Sequence, residues 1–212
     1  MTTRIGINGF GRIGRDYLRF VHAADDVEVV AINDVTNSAA LARLRYDSTF
    51  GPFGHDIEDL GDAIAVDGSK IAVSAVREPA QIDWQRHGVD IVIESTGKFR
   101  TRAAAGAHLG GSVTKVLISA PGEDVDATIV LGVNDATYDP ARHHVVSNAS
   151  CTTNCVAPMV KVLHDSFGVE RGNMTTIHAY TNDQNLLDGP HKDPRRARAA
   201  AVNIIPTTTG AA

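Results

Sequence analysis

The stretch Arg4-Ile5-Gly6-Ile7-Asn8-Gly9-Phe10-Gly11-Arg12-Ile13-Gly14 decides the reading of the fold. A short apolar run ends in a glycine-rich turn. Apolar residues then recur at Ile13, Tyr17, Leu18, Phe20 and Val21, close to helical spacing. Gly9, Gly11 and Gly14 match G-x-G-x-x-G, directly after a strand and opening a helix. The first glycine allows the tight turn, the second lets backbone approach a pyrophosphate, and the third permits close helix–strand packing. The N–H groups of Arg12 and Ile13, at the positive end of the helix dipole, can then donate to phosphate oxygens.

Working outward, Val27–Asn33 (VEVVAIN) is a second run of strand length, and Asp34 follows it twenty residues after Gly14. An acid there meets the ribose 2′-hydroxyl of an adenosine. This context points to dinucleotide binding, with a bare βα turn as the alternative. A carboxylate accepts from a hydroxyl but repels a 2′-phosphate, so Asp34 favours NAD over NADP. The polar run Thr36-Asn37-Ser38 leaves that choice less sharp, and capping of the next helix is the other reading of Asp34.

Further along, Ala39–Tyr46 reads as helix, and Ala63–Asp67 with Lys70–Val76 reads as a hairpin about Gly68-Ser69. Val89–Glu94, Lys115–Ser119 and Thr128–Val133 are apolar, β-branched runs, separated in part by an Ala-rich helical stretch at Thr101–Leu109. Continuous runs of this kind suit strands buried on both faces of a parallel sheet. The expected fold is α/β, a Rossmann-type doubly wound parallel sheet over residues 1–150. The chain turns polar at Ser147–Asn154 before a new apolar helix, Val156–Phe167, which places a domain boundary near residue 150.

Composition narrows the classes further. Among 212 residues, 43% are hydrophobic, with 19 Gly and 8 Pro, which excludes collagen-like and low-complexity chains. A net charge of −5 gives no global field favouring nucleic acid or an anionic membrane. The first residues, MTTRIGINGF, hold no apolar run of signal-peptide length, and nowhere does the sequence reach the ~18 apolar residues of a membrane-spanning helix. Two cysteines, Cys151 and Cys155, are too few for a disulfide framework, so a cytoplasmic protein is expected.

The segment Ser147-Asn148-Ala149-Ser150-Cys151-Thr152-Thr153-Asn154-Cys155 puts Cys151 in the first turn of a helix that Asn148 or Ser150 can cap. A helix N-terminus favours anions, so the Cys151 thiolate becomes more available. Taken alone, such a cysteine is more often a small buried hydrophobe, a reading that suits Cys155 better. Two thiols at i, i+4 without further ligands nearby make no metal site. His178, in Met174–Thr181 (MTTIHAYT), sits in strand-like alternation on a rigid element. Thiolate attack on a carbonyl followed by hydride loss would use this cysteine, this histidine and the dinucleotide turn together.

The stretches INGFGRIGR, SNASCTTNC, HAYTNDQ and RRARAAAVNIIPTTTGAA closely resemble the phosphorylating glyceraldehyde-3-phosphate dehydrogenase family, along the whole chain. The resemblance implies that Cys151 attacks the aldehyde to give a thiohemiacetal and that His178 is the general base. It implies that the thioester is resolved by inorganic phosphate, yielding 1,3-bisphosphoglycerate from glyceraldehyde 3-phosphate in glycolysis or gluconeogenesis. It further implies that Ser150, Thr152, Thr209 and Gly210 surround the attacking phosphate, and that Thr181 and Arg195 hold the substrate phosphate. For the cofactor it adds Asn8, Arg77, Thr96 and Ser119 to Gly9, Gly11, Arg12, Ile13 and Asp34.

The family's chains are longer, so residues 151–212 are expected to be the first part of an α+β catalytic domain. The family is homotetrameric, and no membrane or nucleic-acid role is implied as the main one. Two alternatives remain: an erythrose-4-phosphate dehydrogenase, which resolves the thioester with water, and a non-catalytic module using Lys192–Arg198 to bind RNA or protein.

Overall fold

The computed structural model describes residues 2–36 and 42–211. The chain divides into two compact units, Met1–Ala149 and Ser150–Ala212.

In the first unit the opening apolar run forms β1 (Thr3–Asn8), followed by α1 (Arg12–Val21) and β2 (Val27–Asn33). Short strands β3 (Tyr46–Asp47) and β4 (Gly51–Pro52) pair with each other. Then come β5 (Ile57–Asp59), β6 (Ala63–Val66), β7 (Ser69–Ser74), β8 (Ile91–Glu94), α2 (Arg102–Gly106), β9 (Lys115–Ile118), β10 (Ala127–Thr128) and β11 (Val145–Ser147). Nine strands build one sheet in the order β10-β11-β9-β8-β1-β2-β7-β6-β5. Every pair from β10 to β7 is parallel, and β6 and β5 add an antiparallel edge.

The sheet is buried on both faces, as its continuous apolar runs require. One face packs Ile5, Ile7, Val29, Ile32 and Ile93 with Phe10 and Leu18, the latter from α1. The other packs Val30, Val92, Val116 and Ile118 with Trp84 and with Ala105 of α2. With the two helices supplying opposite cores, the sheet is doubly wound. Gly6 makes room on the second face, since a Cβ there would stand 2.8 Å from the Trp84 ring. The chain passes from β1 to β2 on one side and later returns to place β8 on the other. The C-terminal ends of β1 and β8 therefore flank a topological switch point, where open α/β sheets bind ligands.

Several local expectations need correction. The hairpin turn is Asp67-Gly68, not Gly68-Ser69, because Val66 pairs with Ser69. Both turn residues have positive φ, 49° and 80°, the geometry of the two-residue turns that Asp-Gly favours. Of the helix read at Ala39–Tyr46, residues 39–41 lie outside the described residues, as do Asn37 and Ser38. Its remainder is a 3₁₀ turn, Ala42–Arg45, leading into β3. The run Thr128–Val133 contributes only Thr128 to a strand. Asn134 bends the rest into a turn: its Oδ1 accepts from Val130 N–H at 2.8 Å and its Nδ2 donates to the Thr128 carbonyl at 2.9 Å.

In the second unit α3 spans Cys151–Phe167, one and a half turns longer at its N-terminus than the apolar run alone indicates. Two 3₁₀ turns follow at Pro194–Ala197 and Ala200–Val202. Met174–Thr181 forms no strand, since no neighbouring strand lies alongside it among the described residues.

Candidate functional site

The carboxyl edge of the sheet gathers the expected cofactor residues. Gly9 takes φ 90° after β1, and a Cβ there would strike Thr96, which follows β8, at 2.7 Å. A Cβ on Gly14 would stand 2.3 Å from the Gly9 carbonyl oxygen, so the third glycine is needed for α1 to lie against the turn. At Gly11, by contrast, a Cβ would meet nothing within 4 Å. Gly11 is the N-cap of α1 and no side chain caps it, so the first-turn N–H groups remain available to an anion. The Arg12 side chain turns aside to Asp47 at 3.0 Å, leaving its backbone N–H at the turn.

Asp34, directly after β2, accepts from Phe10 N–H at 2.6 Å through Oδ2 and from Thr36 N–H at 2.8 Å through Oδ1. It thus fixes the glycine turn, and a carboxylate keeps lone pairs for a further donor. Ser119 follows β9, its N–H on the Glu94 carbonyl at 3.0 Å. Arg77 lies exposed three residues past the end of β7.

Asn8 is different. Its side chain is buried and engaged at both ends: Nδ2 donates to Glu94 Oε2 at 2.6 Å, and Oδ1 accepts from Asn33 Nδ2 at 2.8 Å. The expectation that Asn8 touches the cofactor therefore does not extend to its side chain. Its place is in a buried network that the sequence reading missed. Glu94 Oε1 accepts from Thr96 N–H at 2.8 Å and from the Thr96 hydroxyl. His108 Nδ1 accepts from Trp84 Nε1–H at 3.0 Å, so its proton is on Nε2, which donates to Glu94 Oε2 at 3.2 Å. Glu94 and His108 are 1% and 3% exposed, and together they tie down the residues from which the Gly9, Asp34 and Thr96 turns spring.

The second unit opens on the thiol. Ala149, last residue of the first unit, takes φ 59°, a left-handed conformation that costs a β-carbon residue energy and marks strained, functional turns. Ser150, and not Asn148, is the N-cap of α3, its Oγ accepting from Thr153 N–H at 2.9 Å. Cys151 is then the first helical residue, and its Sγ lies 3.2 Å from His178 Nε2. His178 Nδ1 is 2.6 Å from the Ala179 carbonyl oxygen, which can only accept. The neutral ring therefore carries its proton on Nδ1 and turns the Nε2 lone pair to the thiol. Burial works against the Cys151 thiolate, but the His178 imidazole, with the N–H and hydroxyl of Thr152, outweighs it and lowers the thiol below its ordinary value. His178 moves up, held first by the Ala179 carbonyl and then by the sulfur. Both shifts favour a thiolate–imidazolium pair.

This geometry predicts selective alkylation. A lowered thiol pKa leaves thiolate present below pH ~8.5, the ordinary cysteine midpoint, where a free thiol is mostly protonated. Brief iodoacetamide treatment near neutral pH is expected to label Cys151, with Cys155, its sulfur against Met159 at 3.9 Å, largely spared. Peptide mapping reads the result. Preferential labelling of Cys155, or a preference that survives His178→Asn, would remove the pair from the chemistry.

Comparison with known proteins finds two family models, each matching a separate stretch of the chain. Residues 3–102 match the family model for the glyceraldehyde 3-phosphate dehydrogenase NAD-binding domain, and residues 150–212 match that for the C-terminal domain of the same enzymes. The chain belongs to the glyceraldehyde-3-phosphate dehydrogenase family. It is 60% identical to glyceraldehyde-3-phosphate dehydrogenase of Streptomyces coelicolor over 214 residues, covering 100% of this chain and 64% of that one. Identity to enzyme 1 of Bacillus cereus is 58%, over 99% of this chain and 63% of the relative. To the Mycobacterium leprae protein it is 56%, over 100% and 65%. The chain thus spans a little under two thirds of the length of these relatives. NAD is the cofactor of this family's N-terminal domain, and the glycine turn, uncapped helix and Asp34 fit it. No helix among the described residues is long and apolar enough to cross a membrane.

The phosphate ligands that the resemblance implies are less completely assembled than the thiol–imidazole pair. Ser150 and Thr152 flank the thiol, but the Ser150 hydroxyl already serves as the cap. Thr181 N–H donates to Gln184 Oε1 at 3.0 Å. Arg195 is gripped by Asp193, Nε to Oδ1 at 3.0 Å and Nη2 to Oδ2 at 2.9 Å, which holds the Asp193 carboxyl down at about 2. Thr209 Oγ1 accepts from Ala211 N–H at 3.2 Å in a local turn beside Gly210.

Proposed function

We propose that this protein oxidises glyceraldehyde 3-phosphate with NAD and inorganic phosphate to 1,3-bisphosphoglycerate, as a phosphorylating dehydrogenase of glycolysis and gluconeogenesis. The observation that carries the reading is the 3.2 Å contact of Cys151 Sγ with His178 Nε2 at a capped helix N-terminus, in a chain that opens with an NAD-binding domain. The thiolate attacks the aldehyde carbon, and the carbonyl oxygen takes a proton to give a thiohemiacetal on Cys151. The Cys151 N–H and the His178 imidazolium stabilise charge on that oxygen. His178 Nε2 then removes the hydroxyl proton as the carbon gives up hydride. NAD, when bound, supplies the hydride acceptor. Phosphate attacks the thioester carbon, and the acyl phosphate leaves as the Cys151 thiolate re-forms.

In this reading Gly9, Gly11, Arg12 and Ile13 present backbone to the pyrophosphate and Asp34 takes the ribose hydroxyl. Arg77, Thr96 and Ser119 contribute the remaining cofactor contacts. Ser150, Thr152, Thr209 and Gly210 receive the attacking phosphate. Thr181 and Arg195 receive the substrate phosphate, Arg195 exchanging the Asp193 carboxylate for a ligand of matching bidentate geometry. Family membership supports a cytoplasmic homotetramer.

The test is NADH formation by the full-length protein. With glyceraldehyde 3-phosphate and NAD, steady turnover is expected to require phosphate, and its omission should leave a burst of about one NADH per Cys151, the signature of an accumulating acyl-enzyme. NADP in place of NAD should react more weakly, because Asp34 repels a 2′-phosphate. Phosphate-independent turnover would identify a hydrolytic aldehyde dehydrogenase instead, the expected behaviour with erythrose 4-phosphate as the true substrate.

A further inference from the structure

His22, His55 and Asp67 come from three separate stretches of the first unit, so no sequence spacing reveals them as a group. His22 caps the C-terminus of α1, His55 precedes β5, and Asp67 is the first residue of the β6–β7 turn. Their ligand atoms converge. His22 Nε2 lies 3.3 Å and His55 Nδ1 2.7 Å from the same oxygen, Asp67 Oδ2, and all three atoms fall within 4.8 Å of one another. We infer that this triad is a binding site for a divalent transition-metal ion of the zinc class, linking the end of α1, the segment before β5 and the β6–β7 turn.

The donor set selects the metal. Two imidazoles and one carboxylate suit Zn²⁺ and its neighbours, whereas Mg²⁺ and Ca²⁺ take oxygen ligands almost alone. Zinc bonds of ~2.0–2.2 Å in tetrahedral array place ligand atoms roughly 3.3–3.5 Å apart. The His22–Asp67 separation already has that value, and the His55–Asp67 pair needs to open by a fraction of an ångström. The ligand shell is also supported. Asp56 N–H donates to Asp67 Oδ1 at 2.9 Å, which fixes the carboxylate and leaves Oδ2 for the metal. Phe53 packs against both rings, 4.5 Å from His55 and 5.7 Å from His22. The nearby Arg19 guanidinium is drawn away onto the Leu44 and Gly51 carbonyls.

Solvent can reach the group, since the His22, His55 and Asp67 side chains are 17%, 34% and 47% exposed, which gives a path for entry and room for a water as fourth ligand. In the metal-free state the imidazole nitrogens that face Asp67 carry protons. Binding requires each ring to move that proton to its other nitrogen, with no net release from a neutral ring. The site lies at the opposite end of α1 from the glycine turn, ~15 Å away for ten residues at 1.5 Å each. Its role is therefore structural, a clip that holds the antiparallel edge of the sheet to the helix behind it.

The test titrates ZnCl₂ into the protein in a Cys151→Ser background, because the Cys151–His178 pair is itself a thiol–imidazole ligand pair. Competition with a chromophoric chelator is expected to show one saturable equivalent, and Co²⁺ the visible absorption of a tetrahedral complex. His55→Gln and Asp67→Asn, each added to that background, are expected to weaken binding roughly tenfold or more. Zinc should raise the melting temperature of the triad-intact protein alone. The ring ¹⁵N resonances of His22 and His55 provide a readout that needs no variant in the triad. Zinc that leaves both unmoved overturns the site, as does binding by either variant as tight as by the triad-intact protein.

Discussion

Replacing His178 by Asn is expected to slow the first-turnover formation of NADH by a factor of ~10²–10⁴, the usual contribution of a positioned general base. Asn can still donate to the Ala179 carbonyl, so the local chain path is kept. Its amide nitrogen, with its lone pair delocalised into the carbonyl, is not basic enough to receive a proton from Sγ, which in the native protein lies 3.2 Å from Nε2. Two consequences follow from this one loss. The thiol drifts back toward its ordinary range because the imidazole that lowers it is gone. The thiohemiacetal also keeps its hydroxyl proton when hydride must leave. NAD affinity should change little, since the glycine turn and Asp34 belong to the first unit. Stopped-flow NADH absorbance at saturating NAD, with a separate NAD titration, distinguishes the arms. A burst of unaltered rate removes His178 from the chemistry, and a parallel loss of NAD binding points to a folding defect.

The elements legible in the sequence are those whose cause is local. The Gly9-to-Gly14 turn could be read because two of its glycines answer constraints carried within a few residues: positive φ at Gly9, contact of Gly14 with the Gly9 carbonyl. The Val27–Asn33 strand matched to the residue because a continuous apolar run lies on a sheet buried on both sides. The Ser150 cap and the helical start at Cys151 are likewise local. What the sequence concealed depends on partners. Alternation at Met174–Thr181 implies a strand with one buried face, yet Ile177 is 95% exposed and no neighbouring strand pairs with it among the described residues. β11 has only three residues and is held by β9 and β10, so no run of its own announces it. Glu94 looked like the polar end of an apolar strand. Its contacts with Asn8 and His108 are 86 and 14 residues away in sequence, and only the parallel pairing of β1 and β8 brings Asn8 beside it.

That concealed network gives the largest expected effect on stability. Glu94→Leu is expected to destabilise the first unit by ~3–5 kcal/mol, the combined cost of leaving several buried donors without their acceptor. The reason is not the charge alone. Glu94 accepts from Asn8 Nδ2, from His108 Nε2 and from both donors of Thr96, and a leucine leaves all four without an acceptor. Buried donors stranded in this way cost about 1–3 kcal/mol each, partly relieved where Thr96 can turn to water. Glu94→Gln tests the geometry more sharply, because it preserves shape. Its Oε1 can still serve Thr96, but its amide would face the Asn8 amide and the His108 Nε2–H, donor against donor. Nor can His108 escape by changing tautomer, because a proton on Nδ1 would meet the Trp84 Nε1–H, 3.0 Å away. The glutamine variant should therefore lose nearly as much as the leucine, where a purely volumetric role would leave it close to wild type. At roughly 2–4 °C per kcal/mol for a chain of this size, the expected fall in melting temperature is about 6–20 °C. NAD affinity should weaken alongside it, since the Gly9, Asp34 and Thr96 turns are anchored through Asn8, Asn33 and Glu94. Thermal unfolding followed by circular dichroism, paired with NAD titration below the transition, checks both. A glutamine variant that melts within about 2 °C of wild type would show that the network tolerates a donor at this position and that the turns are held by the ladder alone.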